Sequence, residues 1–441
     1  MPEEILSPGH FIVNSIKLFS STGAQQEITN VYTELNIHES ITKGWVSGRI
    51  MVIESLGLQN LFPLIGAEFI EIRYKTPSVD DEVILRASVI AIESRRQIKD
   101  NVDGYDIRFI SSDLVQNSKF KVKTTYKNTP HSDAVQIMCG EFFEKPLVVN
   151  EPSRSTSFSL CNMTPFSAIQ WLAARTKSKR YSGANYVFFE KLGESPGFVF
   201  SSIENLIDPD FIVPVTTYDR SVGNVEPASR KNVQQGFNSI DRIRFLNEPN
   251  TALEIQEGMF ASSLSTFDPV TGRYNRTKFN YFASYDNYKH LNGNKKEGQG
   301  LSSLHNDVQL GSQSDSVVSL GAKHYGMYES GVGNVEDYHL LRRSQMAQMG
   351  ILPGGIQMEI QVAGDSRRSV GEVVALKLPR AGVLVPGNDL RDRYYSGNYL
   401  VTALRHQVSP PRDNQTQTLC KTTMVLATDS YATPLPVAAH T

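Results

Sequence analysis

The sequence predicts a mainly β protein of the α+β class, in which two strand-rich regions, one near each end, flank a section of different character. Near the start, four residues alternate with polar neighbours, namely Val31, Thr33, Leu35 and Ile37. Near the end, the same alternation recurs at Ile356, Met358, Ile360 and Val362. Successive strand side chains point to opposite faces, so this period of two indicates half-buried antiparallel strands. Two such sheets in one subunit form a natural building block for a ring or tube.

The length and composition are those of an ordinary soluble protein. The 441 residues correspond to roughly three domains of about 150 residues each. The net charge of −2 gives no overall field that would draw the chain to nucleic acid or to an anionic membrane. No apolar run approaches the roughly 18 residues of a membrane span, and the acidic start MPEEILSPGH is unlike a signal peptide. We therefore expect no membrane insertion.

Residues 1–150 are predicted to form the first domain, because short β-rich runs alternate with turn-forming stretches. The runs are VYTELNI, WVSGRIMVI, FIEIRYK, VILRASVIAI, YDIRFIS and KFKVKTTY. Spacing of this kind is typical of a small barrel or sandwich. The stretch EKPLVVNEPSRSTS, rich in Pro and Ser, predicts the boundary of this domain.

Residues 151–265 are predicted to form an α/β insertion with a small core of its own. Thr164 is placed to cap a helix, and Pro165 fits the first helical position, where a missing N–H costs nothing. The runs YVFFE and GFVFSSIENL, separated by KLGESP, then predict two strands joined by a turn.

Residues 266–350 are predicted to contain a connecting strand, a long polar arm and a helix. The arm spans 285–335, is poor in large aliphatic residues, and is expected to contact another subunit. The helix is expected from about 336 to 349, because Gly350 and Pro353 follow it as stop signals. The second strand-rich domain is predicted over 351–432, and 433–441 form a C-terminal tail.

The three cysteines lie far apart, with neither paired metal spacing nor a disulfide framework. We expect Cys139, Cys161 and Cys420 to be buried small side chains in a protein that folds in a reducing cytosol.

No motif for catalysis or cofactor binding is present in the sequence. Pairing of His305 with Asp307, or of His324 with His339, lacks the spacings that define metal sites. The stretch NGNKKEGQGLSS lacks the residue order of a phosphate-binding loop. The sequence therefore predicts no catalytic residues, no metal and no cofactor.

A basic run follows the predicted helix and is the one candidate for partner docking. It contains four positive charges in six residues, at Arg175, Lys177, Lys179 and Arg180. One interpretation is a solvated helix end favoured by the helix dipole, and the other is a docking surface for an acidic partner. Four aromatic residues on the predicted hairpin also allow two interpretations, core packing or a protein interface; they are Phe188, Phe189, Phe198 and Phe200.

Several segments, in order, resemble one known family. They include QIMCGEFFEKPLVV, MTPFSAIQWLAARTKS, YVFFEKLGESPGFVFSSIENL, STFDPVTGRYNRTKFNYF, DYHLLRRSQMAQMGILPGGIQMEIQVAGDSRRSVGEVVALKLP and SGNYLVTALRHQVSP. Their order and spacing, from about residue 25 to 430, resemble the central baseplate hub proteins of contractile-tailed phages. This hub region is shared with type VI secretion spike proteins.

The resemblance implies two small β-barrel domains of the tail-tube type, with the α/β insertion between them, that assemble as a ring. It implies a homotrimer of pseudo-sixfold symmetry, which adapts the hexameric tail tube protein to the trimeric central spike protein and contacts baseplate wedge proteins. DNA would pass through the ring only as cargo. The implied location is the tail baseplate of the virion, assembled in the bacterial host cytoplasm.

The near-neutral charge agrees with a conduit for DNA. Each Lys or Arg that contacts a phosphate releases counterions and so favours binding. We therefore expect a lumen that is neutral or acidic.

Two other functions stay open. One is the hub of a cellular contractile injection system, which neighbouring effector and ATPase genes would indicate. The other is a β-rich hydrolase or glycan-binding protein, which predicts a monomer with a deep pocket and clustered acids of shifted pKa.

Overall fold

The computed structural model describes residues 7–55, 57, 62, 65–66, 68–77, 79–220, 233, 236–247, 251–267, 272–295, 318–322, 355–380, 391–411 and 417–433. Strands dominate these residues, which confirms the predicted mainly β fold. Among them, no helix combines the length and the apolar character needed to cross a membrane.

The strands fall into three groups along the chain. The first group is β1 (His10–Phe19), β2 (Gln25–Glu27), β3 (Tyr32–Ser40), β4 (Ser47–Glu54), β5 (Phe69–Lys75), β6 (Val83–Lys99) and β7 (Val102–Ser111). The second group is β8 (Val122–Pro130), β9 (Leu147–Val149), β10 (Ser155–Met163), β11 (Tyr186–Lys191), β12 (Gly197–Ser202), β13 (Thr217–Asp219), β14 (Ile240–Asn247), β15 (Ala261–Phe267), β16 (Tyr274–Asn280), β17 (Asn294–Lys295) and β18 (Val318–Ala322). The third group is β19 (Ile356–Ala363), β20 (Val373–Lys377), β21 (Gly397–Ser409), β22 (Thr418–Thr428) and β23 (Ser430–Tyr431).

The helices are short and lie mostly in the middle of the chain. They are α1 (Ser112–Lys119), α2 (His131–Phe142), α3 (Pro165–Ala173), α4 (Ile203–Ile207), α5 (Thr251–Glu257) and α6 (Tyr281–Ser284), followed by a 3₁₀ turn over Tyr285–Asn287. Helix α3 begins as predicted, with Thr164 at the N-cap and Pro165 in the first turn.

The two strand-rich regions each cover a hydrophobic core. The N-terminal strands are ordered β3-β4-β7-β6-β5-β1, and their alternating apolar side chains, such as Ile37, Ile50 and Ile107, enter one core. Strands β20, β21, β22 and β19 enclose a second core, which contains Met358 and Leu426. The period of two in the sequence therefore gives the burial pattern of both regions.

Strands from the two ends of the chain pair directly, and we call these pairings the seam. Strand β3 pairs with β21 from Leu35↔Val408 to Ser40↔Ala403. Strand β1 pairs with β22 at His10↔Leu419 and Phe11↔Thr418. The pairings form a closed circuit through β21, β3, β4, β7, β6, β5, β1 and β22. Hydrogen bonding thus continues through both regions, and two separate barrels stay a prediction.

The middle of the chain contains the predicted hairpin and a third core. Strands β11 and β12 pair antiparallel from Tyr186↔Ser202 to Lys191↔Gly197. Phe188, Phe198 and Phe200 enter the third core beside side chains of α2 and α3, while Phe189 enters the core below β19 and β22. All four phenylalanines are buried, so core packing is the correct interpretation of the aromatic cluster. This third core includes residues before 150, and the predicted domain limits stay predictions.

The cysteines differ in burial. Cys139 and Cys420 are buried, as expected, but Cys161 is exposed. The expectation is wrong at Cys161 because β10 pairs with β8 in a sheet of only two strands, which leaves outward side chains uncovered.

The stretch predicted as a polar arm begins with a segment that packs on its own chain. Tyr285 is buried, His290 Nδ1 lies 2.6 Å from Asp429 Oδ2, and Asn292 Nδ2 donates to the Ser430 carbonyl at 3.0 Å. Residues 285–295 therefore belong to the folded body. Of the remaining arm only β18 is described, and the helix predicted over 336–349 lies outside the described residues.

Candidate assembly surface

One side of the large sheet faces outward across both strand-rich regions. We call this side the open face; it is formed by adjacent strands β19, β22, β21, β3, β4 and β7, with residues 91–93 of β6. On β3, Leu35 and Ile37 are buried in the core, whereas His38 points outward and is exposed. Because the same alternation holds across the seam, the outward side chains of the two regions form one surface.

The charged side chains of the strands that define the open face balance. Four are cationic and four are anionic, which gives a formal charge of zero; they are Arg49, Arg108, Arg405, Lys421, Glu34, Glu93, Asp106 and Glu359. Strand β14, which pairs with β19 beside this face, adds the exposed cations Arg242 and Arg244.

Each arginine of the open face lies beside a carboxylate. Arg49 pairs with Asp106 at 3.0 Å, and Arg108 pairs with Glu93 at 3.0 Å. Asp106 is buried, whereas the Arg108–Glu93 pair is exposed, and exposed ion pairs contribute little to stability. Their consequence here is electrostatic, because each pair cancels a positive charge on the surface.

Arg405 joins the two regions on this face. Its Nε donates to Asn36 Oδ1 across the seam at 2.9 Å, and its Nη2 lies 3.8 Å from Glu34 Oε1. Asn36 Nδ2 in turn donates to Glu34 Oε1 at 2.7 Å. The sequence separation of 369 residues between Arg405 and Asn36 shows that this network forms only when both regions fold together.

The titratable groups keep this balance near neutral pH. Burial alone would raise the pKa of Glu34, but hydrogen bonds from Asn36 and Gln407 hold it below its ordinary value. Desolvation by neighbouring groups lowers the pKa of the His38 ring, and the charges of Arg405 and Lys43 lower it further. Glu34 is therefore ionised and His38 is neutral.

A groove crosses the open face at the seam. Its lining includes His38, Trp45, Arg405 and Glu359. Glu39 also lines the groove, where it is buried, and its Oε2 accepts a hydrogen bond from the Leu192 amide at 3.1 Å. Burial raises the pKa of this carboxyl to about 8.

The predicted docking residues do not form one surface. Lys177 is buried, and the Arg175 guanidinium lies 4.1 Å from the Trp171 ring centre. Only Lys179 and Arg180 are exposed, and the Arg180 guanidinium stacks 3.8 Å above the Phe211 ring. The prediction that this basic run docks a partner therefore remains only for Lys179 and Arg180.

The buried histidines make hydrogen bonds that occupy both ring nitrogens. His290 faces Asp429 and the Tyr285 carbonyl, at 2.6 and 2.8 Å. His131 contacts Thr176 Oγ1 at 3.0 Å and a second threonine hydroxyl at 2.6 Å. Both imidazole rings are thus held by structural partners.

Within the described ranges, no group of three or more His, Cys, Asp or Glu side chains is arranged to hold a metal. His305, His324 and His339 lie outside them.

Sequence reasoning did not nominate the residues of the open face. Arg405, Glu34 and Asp106 belong to no motif, and a signal for them was nevertheless present. They are the polar positions between the alternating apolar residues of the strands, and the same period that predicts the core predicts the outward surface.

No protein-family model matches the sequence, and no curated protein is significantly similar to it. Solved structures do resemble the fold. A tail protein from Neisseria meningitidis MC58 aligns over 95% of this chain and 97% of its own, with a TM-score of 0.54 and 10% identity. The 43 kDa tail protein of prophage MuSo2 from Shewanella oneidensis aligns over 95% and 99% of the two chains, with a TM-score of 0.54 and 10% identity.

These two similarities extend over nearly the whole length of each chain. A component of the type VI secretion system of E. coli aligns over 95% of this chain and 76% of its own, at 8% identity, with a TM-score of 0.43 that is too low to establish a shared fold. At 10% identity the likeness to the tail proteins is one of fold. The chain therefore has the fold of phage tail proteins, which confirms the predicted resemblance at that level.

Proposed function

We propose that this protein is a structural hub in the baseplate of a contractile phage tail. In this role three copies form a ring that adapts the hexameric tail tube to the trimeric central spike and contacts the baseplate wedge proteins. The protein works without catalysis or a cofactor, as a component of the virion assembled in the host cytoplasm. The full-length fold similarity to tail proteins supports this role.

The observation that carries the proposal is the continuous open face. A tube wall needs a surface that belongs to one subunit and extends without a break along the channel. Here strands from both ends of the chain meet at the seam, and Arg405 ties the two parts together. One chain therefore supplies two adjacent strand-rich regions to a wall, and three chains supply six.

The charge of the open face suits a channel for DNA. Free Lys and Arg side chains would bind phosphates and slow the passage of the duplex. On this face the arginines are paired with carboxylates, as in Arg49–Asp106 and Arg108–Glu93. In the proposed ring this face lines the lumen, and its paired arginines agree with the neutral or acidic lumen expected from the sequence.

A hub in a cellular injection machine would need the same surface. The neighbouring genes distinguish the two settings: capsid and terminase genes indicate a phage, and effector and ATPase genes indicate a secretion system. The hydrolase alternative needs several acids of shifted pKa clustered in a deep pocket; Glu39, which lines the groove and has a raised pKa, is buried and hydrogen-bonded to the Leu192 amide.

The first experiment is the mass of the purified chain in solution by light scattering over a range of concentrations. The proposal predicts a trimer of three times 49.1 kDa. If the free chain is a monomer, the hub must trimerise on its spike, and co-assembly with the spike protein decides. A chain that stays monomeric with the spike present contradicts the proposal.

A further inference from the structure

An exposed apolar strip lies in the middle of the chain beside the predicted docking residues. Phe211, Val213 and Val215 are 61%, 77% and 47% exposed. They alternate with half-buried Ile212 and Pro214, so three exposed apolar side chains lie within five consecutive residues. Single exposed apolar residues need no explanation, but a contiguous group indicates an interaction surface.

The rim of the strip is basic. The Arg180 guanidinium stacks on the Phe211 ring, and Lys179 precedes it in the chain. Neither cation pairs with a carboxylate among the described residues. The nearby acids Asp208 and Asp210 are both engaged by Lys289, at 3.3 and 2.6 Å. Three cations and two carboxylates therefore lie near the strip, which leaves a net positive charge beside its apolar centre.

Helix α2 carries a surface of complementary chemistry. Asp133, Ile137 and Glu141 occur at i, i+4 and i+8, so they lie in one row along the helix. All three are exposed, and Ile137 is 53% exposed, while the other side of the helix enters the third core. We call this row the acidic stripe. Neither carboxylate pairs with a cation among the described residues.

We propose that the apolar strip of one copy binds the acidic stripe of a second copy, with Lys179 and Arg180 facing Asp133 and Glu141. Ile137 then packs against Phe211 and Val213 at the centre of the contact. Apolar side chains at the centre and charged ones at the rim are the usual arrangement of a protein interface. The inference rests on the proposed function, because it names surfaces through which copies of the hub meet.

The strip and the stripe are different surfaces of one chain, so each copy offers both halves of the contact. Every strip and every stripe is satisfied either in a closed ring of heterologous contacts or in a twofold pair that makes the contact twice. The proposed trimer corresponds to the ring, and the mass of the assembly distinguishes the two.

Charge reversal tests this contact. The first variant is Lys179→Glu with Arg180→Glu, the second is Asp133→Lys with Glu141→Lys, and the third combines all four changes. Each of the first two should weaken self-association by roughly a hundredfold, because like charges then face each other. The combined variant should recover the wild-type mass, because the charges are exchanged and attract again.

A matched control reverses two exposed acids elsewhere, Asp80→Lys with Asp81→Lys, in the loop between β5 and β6. It should self-associate like the wild type. Every variant should remain folded, with at most a small decrease in unfolding temperature where Arg180→Glu removes the stacking on Phe211 or Asp133→Lys places a cation in the first turn of α2.

Three results would overturn the contact. They are an unchanged mass in either single-surface variant, a combined variant that stays dissociated, and a wild-type chain that is monomeric at every soluble concentration. Sedimentation velocity distinguishes these results. If both single-surface variants remain trimers, the contact is wrong and the hub function stands, because the trimer then forms through other surfaces.

Discussion

At the scale of single residues, Glu39 is the carboxyl at which three parts of the chain meet. It lies on β3, it is paired across the seam with Leu404, and it accepts a hydrogen bond from the Leu192 amide of the hairpin. Its Oε1 is buried without a hydrogen-bond partner among the described residues. Burial raises the pKa of Glu39 from 4.5 to about 8. The Glu39 carboxyl is therefore protonated and uncharged in the folded protein at neutral pH.

This raised pKa predicts a dependence of stability on pH. Between pH 4.5 and about 8 the folded protein holds a proton that the unfolded chain releases. The free energy of unfolding therefore falls as the pH rises through this window, by up to about 1.4 kcal/mol per pH unit. The variant Glu39→Gln mimics the neutral acid and should lose this part of the slope. Urea unfolding at several pH values measures it.

The matched control is Glu34→Gln on the same strand. The pKa of Glu34 lies below its ordinary value, so its stabilisation is lost only as the pH falls below 4.5. This variant should keep the wild-type slope between pH 4.5 and 8. Equal slopes for Glu39→Gln and the wild type would contradict the assignment of a neutral Glu39.

The burial and contacts of single charged side chains were the features least predictable from the sequence. The basic run predicted one docking surface, but Lys177 is buried and Arg175 covers Trp171. Charge spacing along the chain does not reveal which side chains a loop turns inward. Only Lys179 and Arg180 keep the predicted exposure.

At the scale of elements, Gly48 shows how tightly β4 packs. A Cβ atom added there would lie 2.2 Å from the Phe109 ring and 2.4 Å from the Asn36 carbonyl. Neither a core ring nor a strand carbonyl can move freely. Gly48→Ala should therefore lower the free energy of unfolding by about 1–3 kcal/mol. Chemical denaturation measures this loss.

Gly140 in α2 is the matched control. A Cβ atom added there meets nothing within 4 Å. Gly140→Ala should stabilise the protein by about 0.5–1 kcal/mol, because alanine is the better helix former. If both substitutions had the same sign, packing at Gly48 would not be the cause.

Elements with local signals were predicted well. Thr164 and Pro165 set the start of α3, and the turn KLGESP lies between β11 and β12. The seam was not predicted, because no local pattern tells β3 to pair with a strand more than 360 residues away. Such pairing is decided by which edges the folded regions present.

At the scale of the whole molecule, the seam predicts that the first strand-rich region depends on the last. Val408 and Cys420 belong to the core of the N-terminal strands, and β1 and β3 would be unpaired edges without β22 and β21. Unpaired edges favour aggregation. A fragment of residues 1–150 should therefore be insoluble or unfolded alone. It should become soluble when it is co-expressed with residues 151–441.

Solubility and circular dichroism of the two preparations test this dependence. A fragment 1–150 that is soluble and unfolds cooperatively by itself would contradict it, and would support the independent first domain predicted from the sequence. The open face would then be assembled from two separate folding units.

The central claim is that three copies form a ring with the open face toward its axis. Electron cryo-microscopy of the assembled hub, alone or on its spike, tests this claim most directly. The account predicts three copies around a channel lined by Arg405, Arg49 and Asp106, with balanced charge along the wall. A ring in which the open face points outward, or a strongly basic channel, would contradict the account.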